Sequence, residues 1–204
     1  LFVYMQSKSL APYSIFSGIG SAAMSAFVIV APPSSGKSTR MEKLADILGF
    51  SFHEISDILK KSRDPEVLAD ISAGRLASDS KVSEYLLPVV DKHKDVSNVF
   101  CGSSRTAKQS ADLFHRLKRN CHRTIFIDGV VDYEVCRNRF EFRKMNENRA
   151  DDKTADFETR FNEYVKNIEA VRRFYRLWLR PQMCHTLKFT DDPSADVENI
   201  LSRV

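Results

Sequence analysis

Four cysteines in 204 residues, Cys101, Cys121, Cys136 and Cys184, are scattered singly, without the pairs or histidine partners that metal ligation requires. That spacing argues against a structural zinc site and against a disulfide framework, and it fits a reducing compartment. Charge is absent altogether from Ser9 to Gly36. The run is nonetheless too short and too rich in Ser, Ala and Gly for a membrane span once a buried strand is subtracted from it. It also lacks the charged leading region of a signal peptide. Internal repeats and low-complexity tracts are missing too, which leaves one domain with a full-sized core as the expectation for this length. A net charge of only +4 suits a binder of phosphates without requiring nucleic acid. The chain opens on Leu1 rather than Met, as expected if a leader has been removed or if the start is incomplete.

What is present is concentrated in Phe27–Arg40, FVIV-APPSSGKSTR. Four apolar, mostly β-branched residues predict a buried strand, and Met41–Leu48 predicts an amphipathic helix. Between them Gly36-Lys37-Ser38-Thr39 forms the end of a phosphate-cradling loop. Backbone N–H groups and a helix N-terminus make an anion site there. Lys37 reaches β- and γ-phosphates, and Ser38 or Thr39 faces Mg²⁺, so the chain is expected to bind a nucleoside triphosphate. Ala31 occupies the first glycine position of this motif, and Pro32-Pro33-Ser34-Ser35 fill the loop.

Strand patterns recur at Phe27–Val30, Ser51–His53, Asn98–Cys101, Thr124–Asp128 and Thr186–Phe189, with helical patterns between them. That alternation predicts an α/β fold with a parallel sheet covered on both faces and ligands at the carboxyl ends of the strands. Phe157, Phe161, Tyr164, Ile168, Val171 and Tyr175 form the apolar stripe of one long helix. Arg172, Arg173, Arg176 and Arg180 are expected to be its solvated face rather than a nucleic-acid site.

With the loop placed, the chain from about Phe27 onward resembles the adenylate kinases, which are nucleoside monophosphate kinases. Glu54–Lys60 resembles the family's ISTGDLLR block, and Gly74-Arg75-Leu76-Ala77-Ser78-Asp79 resembles its G-x-L-V-P-D segment. Cys101-Gly102-Ser103-Ser104-Arg105-Thr106-Ala107-Lys108-Gln109 stands for D-G-[FY]-P-R-T-x-x-Q. Arg139, Arg143, Arg149-Ala150-Asp151-Asp152 and Arg160 stand for the lid arginines and their acidic partners. The resemblance implies a five-stranded P-loop kinase fold with an N-terminal extension, 1–26, before the kinase-like part, 27–204. It implies an acceptor-binding insertion about 54–82 and a short lid about 143–150. It also implies transfer of the γ-phosphoryl group of ATP to AMP or another nucleoside monophosphate, with Mg²⁺.

By the same resemblance Ser35, Gly36, Lys37, Ser38, Thr39, Arg139 and Arg143 hold ATP, and Ser38 faces the metal. Lys60, Arg105, Gln109, Arg149 and Arg160 hold AMP, with Gln109 at the adenine edge. Lys37, Arg105, Arg139, Arg143, Arg149 and Arg160 are the catalytic set, and Asp151 and Asp152 orient arginines. Planar guanidinium forks suit this work because phosphoryl transfer between nucleotides crowds negative charge.

The departures sit near the triphosphate. Cys101 replaces a metal-positioning aspartate, and a thiol is a poor partner for a hard cation. Ser34 stands where glycine would relax the turn. Ser103-Ser104 replace an aromatic–proline pair, and Lys60 replaces an arginine. Two expectations therefore stand side by side: a working adenylate kinase, or a catalytically reduced subunit of a larger, mitochondrial assembly. Residues 1–26 are expected to pack against a partner protein or a membrane surface, or else to cap the domain's own sheet, in a chain located inside the cell, in the mitochondrion or the cytoplasm.

Overall fold

The structure is a computed structural model; it describes residues 24–146 and 156–204. At its centre is β1 (Ser25–Val30), whose Ala26, Phe27, Val28 and Ile29 are wholly buried. A run apolar on both faces can sit only between two cores. It pairs with β3 (Asn98–Cys101) on one side and β4 (Arg123–Val130) on the other, while β2 (Ser51–Glu54) and β5 (Cys184–Lys188) form the edges. The order is β2-β3-β1-β4-β5 and every pairing is parallel, so the expected five-stranded sheet is what forms. β1 begins two residues before Phe27, and β5 ends before Phe189.

Alternate residues of β1 serve opposite layers. Ala26, Val28 and Val30 meet α2 (Ile55–Ser62), α4 (Asp79–Lys92), α5 (Ala107–Arg119) and α7 (Phe157–Trp178) through Ile55, Leu86, Leu113 and Val171. Phe27, Ile29 and Ala31 meet α1 (Lys37–Leu48), α6 (Tyr133–Asn146) and α8 (Pro193–Leu201) through Leu44, Phe140 and Val197. The short α3 (Pro65–Ser72) adds Val67 to the first layer. The stripe predicted for α7 is realised: Phe157, Ile168, Val171 and Tyr175 are buried, and Tyr175 stacks on Phe126 at 4.2 Å between ring centroids.

Helix starts follow their caps. Thr106, Asp156 and Asp192 each accept backbone N–H groups of the first turn of α5, α7 and α8, satisfying donors that a helix leaves open. Gly129 in β4 allows close approach instead. A Cβ there would lie 2.4 Å from Phe189 Cε2, so the aromatic ring and the strand fit together only because the side chain is hydrogen.

Candidate active site

Parallel strands deliver their carboxyl ends to one edge, and β1, β2 and β3 place the loop Ala31–Gly36, Glu54 and Cys101 side by side there. The loop bends through two left-handed residues, Ser34 at φ 57° and Gly36 at φ 76°. The strain expected at Ser34 is present, and a non-glycine residue in this region costs on the order of 1–3 kcal/mol. The Ser34 and Ser35 hydroxyls are buried and have no hydrogen-bond partner among the described residues, so the loop carries unused polar groups.

Two arginines hold the outer side of the loop. Arg40, buried on α1, donates to Gly36 O at 3.0 Å, to Thr190 O at 2.6 Å and to Asp196 Oδ2 at 2.7 Å, and it lies over the Phe189 ring. Arg139 donates to Ser35 O at 3.0 Å, to Thr190 O and to Asp191. A trans peptide points its C=O and N–H in opposite directions. Tying back the Ser35 and Gly36 carbonyls therefore turns the Gly36 and Lys37 N–H groups the other way. Gly36 has no room for a side chain, since a Cβ would meet Arg40 Nη1 at 2.5 Å.

A cleft of about 200 Å³ opens from this loop toward the acceptor segment, lined by Lys37, Ser38, Glu54, Gly74–Ala77, Arg105, Arg143 and Arg160 among others. A second hollow, about 570 Å³, adjoins the same loop and is lined by Gly36, Thr39, Asn138 and Arg139 among others. Ser34, Lys37, Ser38 and Arg143 line both. Desolvation pulls the Lys37 pKa below its ordinary value; Cys101 and Glu54 counter this, and Arg105 and Arg143 add to it. Burial, followed by the nearby Glu54 charge, pushes the Cys101 thiol up to about 12, so it stays protonated; its sulfur lies 3.8 Å from Ser38 Oγ. Burial also lowers the Arg105 pKa, against the pull of Glu54.

Arg105 is held from below. Its Nε donates to Gly102 O and its backbone N–H donates to Gln109 Oε1, both at 3.0 Å. Gln109 Nε2 donates in turn to Asp79 Oδ1, which also accepts the Thr106 hydroxyl at 2.8 Å. One network thus ties the start of α5 to the end of the Gly74–Asp79 segment. Arg143 and Arg160 both lie over the Phe140 ring, at 5.8 and 5.7 Å from its centroid. Ser104 lines the cleft and shares a 2.7 Å hydrogen bond with the Tyr175 hydroxyl.

The structure therefore gathers Lys37, Ser38, Arg105, Arg143 and Arg160 in one cleft. Gly36, Thr39 and Arg139 line the adjoining hollow, and Ser35 accepts from Arg139 through its carbonyl. Gln109 is buried and spends both ends of its amide on Arg105 and Asp79, and Lys60, on α2, does not line the cleft. Arg149, Asp151, Asp152, the remainder of the lid beyond Asn146 and nearly all of the N-terminal extension lie outside the described residues. The reading of Arg172 as part of a solvated face is corrected: its Nε and Nη2 donate to the buried carboxylate of Asp128, at 2.8 and 3.2 Å. Arg180 lies beyond the end of α7. Glu54 and Glu163 were not anticipated. Their sequence signals were an acidic residue ending the β2 pattern, and a carboxylate three residues after Arg160 on one helix face.

No protein-family model matches the chain. Proteins named adenylate kinase do. That of Tropheryma whipplei (strain Twist) is 31% identical over 147 residues, 68% of this chain and 77% of the relative. Those of Mycobacterium marinum and Phocaeicola vulgatus are 26% identical over 155 residues and 27% over 178; the matches cover 72% and 83% of this chain, and 84% and 94% of the relatives. Among solved structures, a gluconokinase from Sinorhizobium meliloti 1021 superposes with a TM-score of 0.62 at 15% identity, covering 89% of this chain and 91% of its own. A sugar kinase from Janibacter sp. HTCC2649 gives 0.60 at 19%, covering 88% and 93%. At that identity the two structures speak for the P-loop kinase fold alone. The sequence relatives go further, and with the phosphate loop and the cationic cleft in place the chain belongs to the adenylate kinase family and is a nucleotide kinase.

Proposed function

We propose that the chain transfers the γ-phosphoryl group of ATP to AMP. The observation that carries this reading is the cleft itself, which Lys37 of the phosphate loop lines together with Arg105, Arg143, Arg160 and the Gly74–Ala77 segment. Phosphoryl transfer between two nucleotides is mostly positioning and charge stabilisation. Lys37 and the Gly36 and Lys37 N–H groups, turned away from the arginines that hold the loop, take the β- and γ-phosphates of the donor. Arg105, braced by Gly102 and Gln109, takes the acceptor phosphate. Arg143 and Arg160 neutralise charge between the two.

The residues present fit a metal-bound triphosphate. Ser38 stands at the first turn of α1, next to Lys37, and Glu54 supplies a carboxylate in the same cleft. Magnesium, when bound with ATP, offsets charge on the phosphate oxygens and orients them. Cys101 does not contribute a hard ligand, because its thiol is buried and protonated. That observation also favours a second reading, a subunit that binds nucleotide with little turnover.

A coupled assay of ADP formation from ATP and AMP separates the two readings. Turnover that requires both nucleotides is expected. Arg105→Lys should raise KM for AMP by about 10–100-fold with little change in ATP affinity, since one charge-assisted contact loses its fork. ATP binding without ADP formation would favour the second reading. Turnover indifferent to AMP would refute the acceptor assignment.

A further inference from the structure

Glu54 is the last residue of β2 and the N-cap of α2, yet its side chain makes no capping hydrogen bond to that helix. In the ladder it stands directly beside Cys101, and paired residues of parallel strands present their side chains to the same face. Phe52, two residues earlier, packs in the layer of Val99, Cys101 and Met41, so this is the face that carries α1 and the phosphate loop. Neighbouring parallel strands are roughly 5 Å apart. The carboxylate therefore stands one strand away from the place where the family resemblance puts a metal-positioning aspartate.

The charges around it agree. Glu54 acts on Lys37, Cys101 and Arg105 together, and it lines the same cleft as Ser38. A fixed carboxylate at a triphosphate site repels the ligand unless a cation stands between them. Glu54 also offsets the buried charges of Lys37 and Arg105, and a divalent ion accompanying the nucleotide removes its repulsion of the phosphates.

We propose that Glu54 has taken over, from the neighbouring strand, the positioning of the divalent cation that Cys101 cannot perform, and that it does so together with the Ser38 hydroxyl. The proposal rests on reading this cleft as the ATP site, but it does not depend on AMP being the acceptor. Glu54 acts here as a positioning residue: it holds the ion's hydration shell and its charge, while the phosphate contacts belong to Lys37 and the arginines. The chain thereby keeps one carboxylate beside the phosphate loop, moved sideways by one strand.

The test measures ATP affinity by calorimetry with Mg²⁺ and with EDTA, in the full chain and in Glu54→Gln, Cys101→Asp and the double variant. It is paired with the Mn²⁺ electron paramagnetic resonance spectrum of each protein with Mn·ATP. In the wild type Mg²⁺ should tighten ATP. In Glu54→Gln that gain should shrink by about 10–100-fold, the effect typical of losing a group that orients metal-bound ligands. Affinity in EDTA should hold or rise as the repulsion disappears, and the Mn²⁺ spectrum should change. Adding Cys101→Asp should restore the gain. An unchanged Mg²⁺ gain in Glu54→Gln overturns the proposal, as does a wild type indifferent to metal. An equal loss of affinity with and without metal also overturns it, because that would mark a purely structural role. Failure of the AMP assay with the expected metal pattern intact would refute the acceptor and leave this proposal standing.

Discussion

Replacing Arg40 with leucine tests the idea that the phosphate loop is held in shape from behind. Arg40 is 2% exposed and its partner Asp196 is 4% exposed, so water cannot rescue either group once the other is removed. The variant loses the 2.7 Å bond to Asp196 and the bonds to the Gly36 and Thr190 carbonyls. Asp196 would keep only the Thr190 N–H and hydroxyl. Breaking a buried pair from one side costs about 3–5 kcal/mol. For a chain of this size that lowers the melting temperature by roughly 6–20 °C.

Thermal unfolding followed by circular dichroism measures this, with ATP affinity measured below the transition. Arg40→Leu/Asp196→Leu should recover much of the stability, because an apolar pair of similar shape replaces the ion pair. It should not recover ATP affinity, because the Gly36 carbonyl stays untethered. A single variant melting within about 2 °C of wild type would refute the reasoning, since 3 kcal/mol cannot hide in so small a shift. Full recovery of ATP affinity in the double variant would show that the loop holds its shape without the tether.

Gly129→Ala should destabilise by about 1–3 kcal/mol through overpacking against Phe189, read in the same melts; a neutral result would mean that β5 and Phe189 shift freely. Acid stability should also decline through His53, which stacks on Phe100, meets the His93 ring at a tilt and hydrogen-bonds Asn98. Burial holds its pKa below the ordinary 6.5 despite the Asn98 bond. The folded state therefore takes up the proton later than the unfolded chain, so stability is full above about pH 6.5 and falls as pH drops below it. Melts from about pH 7.5 down to about pH 5.5 should show that decline, smaller in His53→Gln; an equal decline in the variant would place its origin elsewhere.

The alternation of strand and helix patterns, and the loop between Val30 and Met41, were legible in the chain because both depend on local order. A buried central strand must be apolar on both faces, and a phosphate loop must end with Lys and Ser at a helix start. Arg105, Arg143 and Arg160 were legible through spacing shared with a family. The partners of charged side chains were not legible, because pairing across long separations leaves no trace in spacing. Arg172 looked like one more cation on a helix surface, and only the packing of α7 on β4 brings it to Asp128, 44 residues earlier. Arg40 stood in the loop motif without a role until α8 delivered Asp196, 156 residues later. Glu54 lay inside a recognised block, and its meaning depends on β2 adding beside β3 in register with Cys101. Local periodicity thus determined which elements form. Strand order and helix docking decided which charges are buried, which are paired and which face the cleft, because the free energy of a charge depends on neighbours that only the folded chain supplies.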